Sequence, residues 1–332
     1  MRENLPERME HGGRVRWHRT REQGRLLDFS ANVNPYPPEI PWIPDPSTLY
    51  DYPDDRYEAL KEEIGRVFGR DPAEVAVGNG SVELIRAFCS AMLGEGDAAC
   101  IIPPTFAEYE MAVRLAGARC TTDETGAAVR FLCNPNNPTG RLCSRDEVLR
   151  LLADMTEQGT CLFLDEAFIE LADPRQSLVD VRDENLFLMR SLTKSFAVPG
   201  IRFGYGFGTP ELIARVETVR LPWTVNAFAE AFAIEAFRHY DMLRASRERI
   251  AHEREWLSGS LAGIGLTCEP PSANYILVEV PLSADVLVER LLARGILVRN
   301  CRSFGLPCHI RVAVRTHEEN RQLIEALEAC LP

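Results

Sequence analysis

The sequence lacks the features that mark membrane and secreted proteins. No apolar run approaches the about 18 consecutive residues that a membrane-spanning helix needs. The first residues, Met1–Pro6, are largely polar and lack the apolar core of a secretory signal. We therefore expect a cytoplasmic protein with no membrane partner.

An excess of positive charge is also missing. Lys and Arg together number 37 against 49 Asp and Glu, so the net charge is −12 at pH 7. Because a nucleic-acid partner requires a basic face that neutralises phosphates, we expect no such partner. An anionic small substrate stays compatible with this charge, because a few arginines in a cleft set the local potential.

The ten cysteines never form a C-x-x-C pair. Scattered thiols in an intracellular chain are usually small core residues. Cys301, Cys308 and His309 lie close together in sequence, but no fourth ligand stands at the spacing of a zinc site. We expect no metal.

What the chain does contain is an alternation of short apolar runs and amphipathic stretches. In its first half this pattern predicts strands and intervening helices, the strands at 74–77, 98–102, 129–132, 161–164, 186–189 and 201–206 and the helices at 82–93, 106–116 and 145–155. Such β-α alternation is typical of an α/β fold, with a mostly parallel sheet covered by helices on both faces. The second half predicts helices at 210–219, 227–261, 284–293 and 318–331 and strands at 275–280, 296–299 and 310–314.

A chain of 332 residues is long for one compact core, so we expect two domains. Residues 1–43 are predicted to form an irregular N-terminal arm that packs with the small domain. The large domain is predicted over 44–225. The smaller α/β C-terminal domain is predicted over 226–332, beginning with a long linking helix.

The first candidate motif is Gly78-Asn79-Gly80-Ser81, between a predicted strand and a predicted helix. Glycines permit a tight turn, and a helix start offers free N–H groups and a positive dipole end to a phosphate. Ser81 is equally well explained as an ordinary helix N-cap. The sequence leaves both interpretations open.

Two further motifs follow predicted buried strands. Asn134–Gly140 reads Asn-Pro-Asn-Asn-Pro-Thr-Gly, and Asp165 ends the next strand in Leu164-Asp165-Glu166. A turn and a helix cap explain these residues in part. However, ligands of α/β sheets bind outside the carboxyl ends of strands, and a carboxylate beside a core strand is costly without a partner.

The fourth motif is Ser191-Leu192-Thr193-Lys194, with Arg202 eight residues on. A lysine beside an apolar run is normally a solvated surface group. This lysine follows hydroxyl residues at the same predicted edge of the sheet as the other motifs. A desolvated lysine near an arginine has a lowered pKa and can form a Schiff base with an aldehyde.

In this order and spacing, the four motifs resemble those of the fold-type-I pyridoxal 5′-phosphate (PLP) enzymes of aminotransferase class I/II. The resemblance implies that Lys194 carries PLP as a Schiff base and that Asp165 pairs with the pyridine nitrogen. It implies that Asn137 donates to the phenolic oxygen of PLP and that Phe106 stacks on the ring. The remaining cofactor contacts that it implies are phosphate ligands, namely Gly80, Ser81, Val82, Ser191, Arg202 and, from the neighbouring subunit of a homodimer, Tyr52.

Within this family the chain resembles two groups that act on phosphorylated amines. One group is the L-threonine O-3-phosphate decarboxylases of cobalamin biosynthesis, and the other is the histidinol-phosphate aminotransferases, which use 2-oxoglutarate. The segments Asp28–Pro35 and Pro222–Asn226 are more similar to the decarboxylases, and Phe168 replaces a tyrosine usual in aminotransferases. The resemblance implies a phosphorylated amino-acid substrate bound by His11, Asn32, Arg299 and Arg311. Relatives also carry a longer excursion than this chain has between Gly117 and Phe131.

Two rival functions predict features that this chain does not have. A nucleotide-binding oxidoreductase on a similar sheet predicts a third glycine where this chain has Glu83. A catalytically silent ligand sensor with a PLP fold predicts the loss of Lys194 or Asp165, or an attached DNA-binding segment. The sequence therefore favours an active PLP enzyme.

Overall fold

The computed structural model of the protein describes residues 12–13, 15–19 and 26–331. The helices of this part are α1 Val15–Arg19, α2 Glu58–Phe68, α3 Ser81–Met92, α4 Glu108–Ala116, α5 Arg145–Glu157, α6 Leu192–Ser195, α7 Pro210–Val219, α8 Ala227–Arg238, α9 Leu243–Gly263, α10 Ala284–Leu292 and α11 His317–Cys330. The strands are β1 Leu27–Asp28, β2 Val75–Gly78, β3 Ala98–Ile101, β4 Arg119–Thr121, β5 Val129–Cys133, β6 Cys161–Asp165, β7 Leu186–Ser191, β8 Gly204–Phe207, β9 Thr267–Cys268, β10 Tyr275–Glu279, β11 Ile296–Leu297, β12 Arg299–Asn300 and β13 His309–Ala313. None of the described helices has the length and apolarity that crossing a membrane requires.

A seven-stranded sheet forms the centre of the large lobe, in the order β2-β8-β7-β6-β5-β3-β4. Only β8 runs antiparallel to its neighbours β2 and β7, so the sheet is mostly parallel, as the sequence predicted. Residues 201–203 of the predicted strand at 201–206 lie outside β8. Arg202 there has φ +61°, which breaks the strand conformation, and β8 begins at Gly204.

Both faces of this sheet are buried, as the near-continuous apolar strands predicted. Along β6, Cys161 and Phe163 pack on one side with α3, α4 and α7. The alternate residues Leu162 and Leu164 pack on the other side with α2, α5 and α8. Because side chains alternate along a strand, one short apolar run supplies both hydrophobic layers.

The small lobe contains a four-stranded antiparallel sheet in the order β12-β13-β10-β9. Its core combines the sheet with α10, α11 and the later turns of α9. The N-terminal arm joins this lobe through β1, which pairs in parallel with β11. The domain boundaries at residues 43 and 225 stay a prediction.

The single long helix predicted at 227–261 is wrong, because α8 and α9 are separated by a 3₁₀ turn over Tyr240–Met242. The Tyr240 hydroxyl lies within 3.2 Å of both buried groups Arg190 and Glu170 behind the sheet. The 3₁₀ turn places the Tyr240 hydroxyl in contact with Arg190 and Glu170. The apolar periodicity of the sequence continues on both sides of this turn, so the periodicity alone predicts one helix. α8 packs with the large lobe and most of α9 with the small lobe.

Candidate active site

A cavity of about 410 Å³ lies at the carboxyl edge of the large sheet, between the sheet, the arm and the small lobe. The parallel register explains why predicted residues meet there, because Cys133 of β5 is aligned with Asp165 of β6. The predicted residues that line the cavity are Asn32, Ser81, Val82, Phe106, Asn137, Asp165, Lys194, Arg202, Arg299 and Arg311. Three other predicted residues that the structure describes, Gly80, Ser191 and Tyr52, are not part of its lining. His11 lies outside the described residues.

Lys194 is placed by the single turn of α6, directly after the buried strand β7. Its Nζ lies 5.9 Å from the centre of the Phe168 ring. Burial lowers the pKa of Lys194 to about 8, and the nearby Arg311 and Arg202 cations act in the same direction. A substantial fraction of this amine is therefore neutral near pH 8 and able to attack an aldehyde.

Asp165 ends β6 and is almost fully buried. Its Oδ2 accepts a hydrogen bond from the Tyr109 hydroxyl at 2.5 Å, and its Oδ1 accepts one from the Ala167 N–H at 2.9 Å. Burial raises the pKa of Asp165 to about 6, although both hydrogen bonds favour the charged form. The carboxylate is thus held in one orientation, ready for a cationic partner in the cavity.

The glycine loop and Arg202 form a cradle for an anion. Gly80, with φ +80°, is the N-cap of α3 and contributes no side-chain hydrogen bond, so the interpretation of Ser81 as the N-cap is wrong. A Cβ at Gly80 would collide with the Arg202 guanidinium, and a Cβ at Gly204 would lie 2.5 Å from the Ser81 nitrogen. The first N–H groups of α3 therefore lie beside a guanidinium, an arrangement that suits a phosphate.

Ser191 stands behind this cradle. It is buried, and its hydroxyl lies 2.8 Å from the hydroxyl of Thr193. Thr193, to which the sequence interpretation gave no role, lines the cavity. Ser191 ends β7 and Thr193 lies two residues later in α6, so residue spacing alone does not reveal which of the two hydroxyls faces the cavity.

Arg299 and Arg311 are direct cross-strand partners on β12 and β13. Arg311 donates to the Asn137 Oδ1 and, at 3.1 Å, to the Ser30 carbonyl, and its guanidinium lies 5.3 Å from the centre of the Tyr275 ring. With its amide oxygen turned toward Arg311, Asn32 accepts at 3.2 and 3.3 Å.

The charge of this arginine pair is concentrated and partly desolvated. Burial lowers the pKa of Arg311 to about 10, and the neighbouring Arg299 cation acts in the same direction. Arg299 donates to the Ser303 hydroxyl at 2.6 Å and lies over the Phe304 ring. Two adjacent cations at one end of a cavity form a strong site for a dianion.

Tyr52 lies apart from these groups. Its side chain is 79% exposed, and its ring centre is 4.6 Å from that of Trp223. Its predicted contact with the phosphate of a neighbouring subunit stays a prediction.

Two signals for the site were missed in the sequence. Tyr109 lies on the buried face of the amphipathic helix α4, where a tyrosine hydroxyl needs a partner. The chain also contains only two lysines, Lys61 and Lys194. Lys61 forms an ion pair with Glu217 at 3.2 Å, which leaves Lys194 as the lysine of the cavity.

Comparison with known proteins agrees with this geometry. The sequence model of the aminotransferase class I and II family matches residues 25–327. A protein of Caldanaerobacter subterraneus subsp. tengcongensis named "Putative threonine-phosphate decarboxylase" is 38% identical over 96% of this chain and 93% of its own length. The histidinol-phosphate aminotransferase structure from Clostridium acetobutylicum has a TM-score of 0.81 at 30% identity, covering 92% of this chain and 98% of that one.

The structure of L-threonine-O-3-phosphate decarboxylase from Porphyromonas gingivalis has a TM-score of 0.77 at 25% identity, covering 85% of this chain and 91% of that one. Both kinds of relative thus share the fold, and the family match spans nearly the whole chain. The chain belongs to the aminotransferase class I and II family of PLP-dependent enzymes.

Proposed function

We propose that the protein decarboxylates L-threonine O-3-phosphate to (R)-1-amino-2-propanol O-2-phosphate, a step of cobalamin biosynthesis. The placement of Arg299 and Arg311 side by side supports a phosphorylated substrate, and the 38% identity to the protein named "Putative threonine-phosphate decarboxylase" favours decarboxylation as the reaction. Of the four Lys and Arg side chains among the described cavity residues, Lys194 and Arg202 belong to the cofactor end. The other two form one dianion site, which suits a phosphate and leaves the substrate carboxylate outside the pair.

The residues present fit PLP. Lys194 is a buried amine of lowered pKa for its aldehyde, and Asp165 is an oriented carboxylate for its ring nitrogen. The cradle at the start of α3 suits its phosphate, and Asn137 and Phe106 line the same cavity. When bound, PLP supplies an electron sink for a bond at the α carbon of the substrate amine.

Orientation of the substrate by the protein would select the bond that breaks. With the phosphate held by the arginine pair, rotation about the bonds to the α carbon is restricted. Decarboxylation requires the bond to the carboxylate to be perpendicular to the cofactor ring, and a fixed phosphate favours one such geometry. Carbon dioxide then leaves, and a proton takes its place on the α carbon.

Lys194 is the proposed donor of that proton. Because the pKa of Lys194 is about 8, both its protonated and its neutral form are populated near neutral pH. Phe168, over which the amine lies, supplies an apolar surface that keeps water from the same position.

A histidinol-phosphate aminotransferase is the second candidate, and the TM-score of 0.81 to such an enzyme favours it. That reaction also uses a phosphorylated amine, so the arginine pair suits its first substrate. Its second substrate, 2-oxoglutarate, carries two carboxylates on a five-carbon chain.

We also propose that the active unit is a homodimer. Large apolar side chains are exposed in the two chain segments that contain Tyr52 and its ring partner Trp223, namely Ile43, Leu49, Tyr50, Leu221 and Trp223. A second copy would bury this surface and would bring Tyr52 to a neighbouring site.

The deciding experiment incubates PLP-loaded protein with L-threonine O-3-phosphate, without a keto acid, and follows the substrate by mass spectrometry. Loss of one carbon dioxide per molecule over many turnovers supports the decarboxylase. Unphosphorylated threonine is the matched control and should react far more slowly. No turnover, together with glutamate formation from histidinol phosphate and 2-oxoglutarate, would identify the aminotransferase instead.

A further inference from the structure

Glu83 makes an unusual contact at the start of α3. A glutamate at the third helical position normally accepts from the N–H of the N-cap residue. Here the N–H of the N-cap, Gly80, donates to the Gly78 carbonyl at 2.8 Å. Oε2 of Glu83 instead accepts from the N–H of Asn79 at 2.6 Å. The carboxylate therefore ties the middle of the glycine loop to its own helix.

The other oxygen of this carboxylate, Oε1, accepts a hydrogen bond from the Thr224 hydroxyl. Thr224 lies in the connection between α7 and α8, which is fixed on both sides. The N–H of Trp223 donates to Asp55 Oδ1 at 2.8 Å, and the N–H of Val225 donates to the Tyr57 hydroxyl at 3.0 Å. The Thr224 hydroxyl therefore belongs to a segment that hydrogen bonds hold in place on both sides.

The opposite side of the loop leaves little space. Even a single added carbon at Gly80 would meet Arg202, and one at Gly204 would meet the backbone of Ser81. The loop therefore lies between Arg202 and β8 on one side and the carboxylate bridge on the other. The contacts on both sides of the loop fix the direction of its N–H groups. Because a hydrogen bond weakens steeply as its angle departs from linear, this direction decides how well the N–H groups bind a phosphate.

We propose that Glu83, through its bridge to Thr224, is a positioning residue for the phosphate end of PLP. Glu83 is not among the described residues that line the cavity. It holds the Gly78–Ser81 loop so that the N-terminus of α3 and Arg202 bind the same phosphate. This role is the same whether the enzyme decarboxylates or transaminates.

Equilibrium dialysis of the holoenzyme against decreasing PLP tests the proposal. For Glu83→Ala we expect the Kd for PLP to rise about tenfold, the effect of losing hydrogen bonds to a charged group. Pyridoxal, which lacks the phosphate, is the matched ligand, and its Kd should stay unchanged. A general loosening of the site would weaken both ligands equally and would overturn the proposal, as would an unchanged Kd for PLP.

Two further variants keep the test decisive if Glu83→Ala folds poorly. Glu83→Gln retains an oxygen for Asn79 and gains an amide that can donate to Thr224, so it should keep near-normal PLP affinity. Thr224→Val should weaken PLP binding on its own and add little in the Glu83→Ala background, because both changes break one bridge. Additive effects of the two changes would contradict the bridge. Thr218→Val is the control, because the Thr218 hydroxyl donates to the Ala214 carbonyl of its own helix α7, at 2.8 Å.

Discussion

The two ends of the cavity are built in different ways. The cofactor end, Ser81, Asp165, Lys194 and Arg202, comes from strand ends, helix starts and connections of the one large sheet. The substrate end, Asn32, Arg299 and Arg311, is assembled from the N-terminal arm and the small lobe. The first is positioned by one rigid element, and the second depends on how separate elements meet. The substrate end can therefore change while the cofactor chemistry stays the same.

The largest expected effect is at the cofactor end. Lys194→Ala should lower kcat by about ten-thousandfold or more, because the nucleophilic amine and the proton donor are lost together. Steady-state turnover measures this effect. Lys61→Ala is the matched control and should retain full turnover. If Lys194→Ala kept even a tenth of the activity, the assignment of the lysine would be wrong.

Asp165→Asn should separate stability from function. The folded pKa of about 6 lies above the usual 3.8, so the unfolded state loses this proton first as pH rises. The stability of the wild-type apoprotein therefore falls as the pH rises from about 3.8 to about 6 and stays lower above pH 6, whereas the asparagine variant has no such loss. At pH 7 the variant should be more stable by about 3 kcal/mol.

Urea unfolding of the two apoproteins at pH 4 and pH 7 tests this sign. The stability difference should be small at pH 4 and fully developed at pH 7. An equal difference at both pH values would show that the carboxylate is not destabilised by burial. Turnover of the variant should be lost at both.

A smaller effect is expected at the substrate end. Arg299→Gln should reduce the preference for threonine phosphate over threonine about thirtyfold, because one of two adjacent cations is lost. The ratio of kcat/KM values for the two substrates measures it. Arg302→Gln removes a nearby arginine that pairs with Asp285 at 2.9 Å and is 71% exposed, so it should leave the ratio unchanged. If the ratio of kcat/KM values were the same in the wild type, Arg299→Gln and Arg302→Gln, the arginine pair would have no role in recognising the substrate phosphate.

The smallest effect should come from Tyr109→Phe. The hydroxyl donates to the charged form of Asp165 and lowers its pKa, so its removal raises that pKa. The acid limb of the pH–rate profile should move to higher pH, and kcat at neutral pH should fall about fivefold. An unmoved acid limb would mean that the hydroxyl only fills space.

The same division between the two ends explains what the sequence could predict. Asp165 ends an apolar strand, and Asn137 and Lys194 lie within a few residues of the ends of two others. Because parallel strands bring their carboxyl ends to one edge, the meeting of these three residues was predictable. Arg311 lies inside a strand, where only resemblance to a family singled it out. Apolar periodicity encodes neither strand direction nor the turn at Tyr240–Met242, so the reversal of β8 and the end of α8 were not predictable.

Contacts between distant segments were the least predictable. Tyr109 meets Asp165 across 56 residues, and Glu83 meets Thr224 across 141. In the sequence, Glu83 was identified only as the residue that stands where a dinucleotide-binding motif has its third glycine. Its function depends on a loop that is fixed by other distant contacts, such as the one between Asp55 and Trp223.

The scarcity of lysine has a consequence for chemical labelling. Aldehydes condense with any accessible amine, and an aldehyde cofactor can therefore modify the surface of its own enzyme. In this chain arginine supplies almost all of the fixed positive charge, and the second lysine side chain, Lys61, is held by Glu217. Of the two lysines, reduction with borohydride should therefore attach the cofactor to Lys194, so that labelling of the Lys194 peptide counts working sites.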